Sequence, residues 1–253
     1  MNKVLKYAAL DILKNKIVIA YTVMLALFAW SAFSLEDNAA KGILTLLNII
    51  LLTVPLVSVL FSTIYVYNSS EFIELLVSQP IKRSKIWTAL FIGLSLALVL
   101  AYIVGAGIPL LIFADLGTAL MMIVAGSMLS IIFVAVAFLC SILTRDKAKG
   151  VGISLIVWLY FSLLFDGLVL FLFFQFADYP IEKVGLSALS PVDMCRILIL
   201  LRLDVAAMLG MTGAVFKDNF GSGGGLLLSF GILALWIIIP FIISLKKFRK
   251  KDL

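Results

Sequence analysis

Few residues in this chain of 253 have types and spacings that could do chemistry. Asp166 is a carboxylate inside an apolar run, where holding its charge in hydrocarbon costs about 2.5–3.5 kcal/mol. It is either a gating or transport residue or a polar contact at a helix or subunit interface. Met194, Cys195, Met208 and Met211 bring together thioether and thiol donors that suit Cu(I), although methionine also fills packed apolar helices. Metal binding by this group is left open. Glu71 and Glu74, six residues ahead of Pro80 at the latter, fall in the opening turns of a short helix, where carboxylates are favoured.

The missing residue types narrow the function further. There is no histidine, which excludes an imidazole base, a Ser-His triad and His-ligated zinc or haem. Two cysteines are too few for a four-thiolate site. Cys140 lies within an apolar span and Cys195 outside one, so they cannot pair in one chain. No G-x-x-x-x-G-K-[ST] loop is present, and the glycine run 221–225 has no lysine. ATP-driven work by this chain therefore needs hydrolysis on another subunit, and a non-catalytic membrane role is expected.

The elements that must position these residues are membrane helices. Hydrophobic residues make up 64% of the chain and charged residues 13%, against about 25% charged in a soluble domain. Six stretches reach the roughly 20 apolar residues that a spanning helix requires: 17–35, 43–67, 86–113, 119–143, 151–176 and 226–245. They are apolar on all sides and lack the alternation of a barrel strand, so the fold expected is all-α, a single membrane domain over 1–253. Pro55 and Pro109 are sites for kinks.

Charge sets the expected orientation. With six spans, 15 of the 20 basic residues and only five of the 14 acids fall on the side that holds both termini. By the positive-inside rule both ends are cytoplasmic. The basic balance is then explained by topology and calls for no nucleic acid.

Three segments are more organised than plain connectors. Residues 1–16 place Leu5, Ala8, Ala9, Ile12 and Leu13 on one face and Lys3, Lys6, Asp11 and Lys14 opposite, as in an interfacial helix or a basic anchor. Residues 70–80 predict a cytoplasmic helix capped by Ser70 and stopped by Pro80, a peg for a partner or a reverse turn between spans. Residues 178–224 form a long outer segment. Within it Ser190-Pro191-Val192-Asp193 is a capped helix start, and Arg196, Arg202 and Asp204 argue against a seventh span. An amphipathic helix or helix pair on the outer membrane surface is expected, broken at Gly210 and Gly213, with 221–225 as a hinge.

Glu71, Glu74-Leu75-Leu76, Ser78-Gln79-Pro80 and Arg83 resemble the coupling-helix region of ABC-2 type permeases, membrane subunits of ABC transporters with a type V exporter-like fold. Phe72-Ile73 stand where that family often has Gly-Thr. The basic start resembles the family's elbow helix. The resemblance implies that Glu71, Glu74, Gln79, Pro80 and Arg83 meet a separate cytoplasmic ATPase that carries ATP and magnesium.

The outer stretch Leu189 to Asp193, Arg196-Ile197-Leu198 and Asp204-Val205, followed by Ala207 to Ala214, resembles the branch of that family serving copper-site assembly in nitrous oxide reductase. That resemblance implies a homodimer in the bacterial inner membrane and a periplasmic copper-handling partner carrying the copper. The partner would dock at Ser190, Pro191, Asp193, Arg196, Asp204, Met208, Gly210, Met211 and Gly213, with no cofactor bound by this chain itself. The competing expectation is an exporter of a lipid, polysaccharide or drug, for which the same peg and spans would serve.

Overall fold

In the computed structural model, residues 12–36, 38–165, 167–168, 188–202 and 223–250 are described. They form α1 (Lys16–Leu35), α2 (Ala39–Asn68), α3 (Ser70–Val77), α4 (Arg83–Tyr102), α5 (Ile108–Phe113), α6 (Leu116–Leu143), α7 (Lys147–Leu159), α8 (Pro191–Arg202) and α9 (Gly223–Lys250). Two π-helical segments interrupt this series, Ile103–Gly107 between α4 and α5 and Tyr160–Leu164 after α7. Among the described residues, six helices are long and apolar enough to cross a membrane, as the apolar runs predict. Of the expected 1–16 helix, only its end is described: a helical turn at Ile12 and Leu13 breaks before α1 begins. The part of the fifth span beyond residue 168 lies outside the described residues.

Side-chain caps explain where the long helices begin. Asn15 Oδ1 accepts from Ile17 N, and Asn38 Oδ1 from Ala40 N, both at 2.9 Å. Asp115 accepts from Thr118 N at 2.9 Å, and Asp146 from Ala148 N at 2.7 Å. Each occupies an amide that the first turn leaves without an intrahelical partner. Glycine 223 opens α9, so the glycine run expected as a hinge is already helical in its last three residues.

α6 is the core of the bundle. It packs against α2, α4, α7, α8 and α9, and 67% of its apolar window is buried against 17% for α9. Residues Ile132 to Phe138 are buried consecutively, so no face of this stretch is left for lipid. A helix apolar on every side is what such a position requires.

At one end of the bundle Phe33 stacks on Phe113 at 5.0 Å and Trp30 meets Phe113 edge-on at 5.6 Å. At the other, Trp87 stacks on Phe248 at 4.2 Å. The second end carries Lys16, Lys82, Arg83, Lys85, Lys147 and the basic tail of α9.

The kink expected at Pro109 takes a particular form. A proline ring clashes with the carbonyl four residues earlier, here Gly105, and the chain answers with the π segment Ile103–Gly107. Gly105 also touches α1: a Cβ there would stand 2.7 Å from the Thr22 carbonyl oxygen and 2.9 Å from Leu25 Cβ. Neither atom is the free end of a flexible side chain, so α1 would have to move. Gly105→Ala is therefore expected to destabilise the fold by about 1–3 kcal/mol, read as a lowered midpoint of thermal unfolding in detergent. An unchanged midpoint would show that α1 does not pack this closely.

Candidate docking and transmission site

Only Ser69 separates α3 from α2. The Ser69 amide donates back to the Tyr65 carbonyl at 2.9 Å, while its own carbonyl accepts from Ile73 N. Ser69 thus holds the cap position without a side-chain bond, and Ser70, expected as the cap, is the first helical residue. The expected helix over 70–80 also closes earlier, at Val77. Ser78 Oγ donates to the Leu75 carbonyl at 2.8 Å, and Pro80 disfavours helical geometry at Gln79, the residue before it. Gln79 and Pro80 form the exposed turn that follows, and Arg83 opens α4 half-buried.

The two faces of α3 are unlike. Ile73 and Leu76 are buried, and the helix packs on α2 and α4. Glu71, Glu74, Ser78, Gln79 and Pro80 are all exposed. With them stand two large apolar side chains, Phe72 at 47% and Leu75 at 65% exposure. This pair was not among the residues expected from the sequence. Its signal was present: 72 and 75 share the helical spacing of 73 and 76, but rotated by about 100° onto a neighbouring face. An apolar pair flanked by carboxylates at a helix start suits a protein groove with basic edges.

Behind α3, the end of α2 is fastened to the junction between α6 and α7. The Tyr67 hydroxyl meets both the carbonyl and the hydroxyl of Thr144. Lys147 Nζ donates to Asn68 Oδ1 at 2.7 Å. Deeper in, the buried Thr63 and Ser154 hydroxyls are 2.8 Å apart and Ser154 donates to the Gly150 carbonyl at 3.0 Å. A hydroxyl has one proton, so Thr63 is the donor to Ser154. Gly150 admits this approach, since a Cβ there would fall on the Tyr67 ring. Further along, Trp158 Nε1 donates to the Leu52 carbonyl at 3.1 Å. None of these cross-helix partners was legible in the sequence.

α8 stands on the far side of this linkage. The expected cap is present, with Asp193 N donating to Ser190 Oγ at 3.3 Å. Its location, however, corrects the surface helix expected from the sequence. α8 packs on α6 and α9 and also touches α2, with Val192, Met194, Cys195, Leu198 and Ile199 all buried. The Cys195 thiol donates to the Ala125 carbonyl at 3.6 Å, and Trp236 Nε1 donates to the Ala188 carbonyl at 3.2 Å. Ala125 is nine residues into α6, about 14 Å from its start. Trp236 lies midway along α9. α8 therefore dips into the bundle among its spans.

Charge pairing makes this position tolerable. Arg196 meets Asp193 at 3.3 Å one turn away, so neither ion enters the bundle uncompensated. Ser190, Pro191 and Asp193 are buried among the chain's own helices, and Arg196 is the more accessible of the four. Cys195 is used in packing and in its bond to Ala125. Asp166, Asp204, Met208, Gly210, Met211 and Gly213 lie outside the described residues.

The family described as ABC-2 family transporter protein matches residues 36–253. A protein of Pseudomonas aeruginosa named "Probable ABC transporter permease protein NosY" is 24% identical over 96% of this chain and 95% of its own length. One of the same name from Stutzerimonas stutzeri is 27% identical, over 74% of this chain and 76% of its own.

Proposed function

Since this chain belongs to the ABC-2 family of transporter proteins, we propose that it is a permease that relays ATP-driven movement from a separate cytoplasmic ATPase to a partner on the outer face. The observation that carries this reading is the exposed Glu71, Phe72, Glu74 and Leu75 face of α3. It sits one residue from α2, whose end is clamped to α7 through Asn68 and Thr63 and to Thr144, the residue that closes α6, through Tyr67. A push on α3 is thereby delivered to α2 and α7 together, and α2 and α6 in turn contact α8.

The similarity to proteins named NosY, over nearly the whole chain in one case, supports the finer assignment. In it the ATPase is NosF-like and holds ATP and magnesium, while the outer partner is NosD-like and handles copper destined for nitrous oxide reductase. Two copies of this chain form the membrane unit in a bacterial inner membrane. The basic end faces the cytoplasm, following the excess of lysine and arginine there. No copper need cross the bilayer, because the chain transmits motion.

The test is to express this chain with NosF-like and NosD-like proteins and the reductase, and to measure copper in the purified reductase. Copper loading is expected, together with its loss at unchanged reductase protein when Phe72 and Leu75 are both replaced by aspartate. Full loading without this chain would overturn the assignment, and export of a lipid, polysaccharide or drug by the same complex without copper loading would favour the exporter. Met208→Leu with Met211→Leu is expected to keep at least half of the loading, since volume-conserving apolar swaps usually cost less than about 1.5 kcal/mol. Copper loss in that variant at normal protein levels would instead make these methionines ligands.

A further inference from the structure

We propose that the basic end of α9 is a binding site for one anionic phospholipid, with the phosphate held by lysines and the acyl chains lying along the helix. Lys246, Lys247, Arg249 and Lys250 line a concavity of about 630 Å³. All four are exposed, while Phe248 between them is buried. α9 carries no acidic residue along its 28 positions to neutralise them.

The helix that carries the cations is held in place. Trp87 Nε1 donates to Ser244 Oγ at 2.6 Å, Trp87 stacks on Phe248, and Phe91 stacks on Phe241 at 4.3 Å. Positions 241, 244 and 248 thus fix one face of α9 against α4. The opposite face presents Leu235, Ile239 and Ile242, all exposed, and then Lys246 and Lys250 on the same helical stripe.

Length and charge select the occupant. From Leu235 to Lys246 is eleven residues, about 16 Å, close to half of the roughly 30 Å hydrocarbon thickness of a bilayer. A stripe that is apolar for one leaflet and ends in cations on a pinned helix complements an amphiphile with an anionic head. A positive-inside signal needs only the excess charge. It does not need a concavity, a pinned helix or an apolar approach.

The probe is phosphatidylglycerol. The full chain is reconstituted in nanodiscs of equal phosphatidylglycerol and phosphatidylethanolamine, re-extracted in mild detergent, and its retained lipid is measured by mass spectrometry. Phosphatidylglycerol is expected in excess over phosphatidylethanolamine. Lys246→Gln with Lys250→Gln is expected to lower its relative retention by about fivefold per cation removed. Both side chains are exposed, so the Trp87, Ser244 and Phe248 contacts survive, and Lys247→Gln with Arg249→Gln provides a second test with the same expected direction.

Equal retention of the two lipids by the unmodified chain would overturn the proposal, as would unchanged retention in both variants. A matching loss from Lys14→Gln with Lys16→Gln would also overturn it, by showing attraction to bulk charge. So would displacement of the lipid by its deacylated headgroup at comparable concentration, because the apolar stripe would then contribute nothing.

Discussion

Replacing Glu71 with lysine is expected to abolish stimulation of the partner ATPase while leaving membrane insertion and helix content unchanged. Glu71 is exposed in the first turn of α3, where a carboxylate favours the positive helix end and a lysine opposes it. That local effect is worth only about 0.3–1 kcal/mol. The larger loss comes from the partner: like charges brought together across an interface cost several kcal/mol, and each 1.4 kcal/mol is about tenfold in affinity. Ile73 and Leu76 still bury the inner face, so the helix stays docked on the bundle. Wild-type stimulation in the variant would show that the ATPase does not read this face.

The second large effect is expected at Gly150. In Gly150→Ala the added methyl falls on the Tyr67 ring, and overpacking of this kind costs about 1–3 kcal/mol. The Thr63 and Ser154 bond and the Tyr67 and Thr144 contact lie on either side of the clash, so α7 is pushed from α2 at the clamp itself. The ATPase should still bind α3 and hydrolyse ATP, but under the proposed function copper loading of the reductase should fall at least about tenfold, a loss equivalent to about 1.4 kcal/mol. Replacing Tyr67 by alanine in the same chain makes room for the methyl and is expected to restore thermal stability without restoring coupling, since the Thr144 contact is gone. Full copper delivery by Gly150→Ala would mean that movement reaches α8 by another route.

The sequence made the spans legible because a lipid-spanning helix announces itself by length and apolarity alone. The cap at Ser190 was legible for the same reason, needing only its own next turn. α3 was legible in existence and charge, but its limits shifted: the continuity of α2 through Asn68 moved the cap from Ser70 to Ser69.

What stayed hidden depends on partners distant in the chain. Cys195 meets Ala125 from 70 residues away, and Thr63 meets Ser154 from 91. No periodicity within 191–202 distinguishes a helix lying on a membrane from one packed between α6 and α9. The Asp193 and Arg196 charges suggested solvent, yet their mutual pairing is what permits burial. Pro109 announced a disturbance in the third span. Its resolution as a π segment also needed Gly105 and the nearby backbone of α1.

The most direct measurement places a photo-activated cross-linking amino acid at Leu75 in the full-length chain within its native membrane and identifies the covalent adduct by mass spectrometry. A single major adduct with an ABC ATPase, captured through a groove on that subunit, is expected of a coupling face on α3. An adduct confined to lipid, or to another part of this chain, in membranes where the ATPase is present would contradict it.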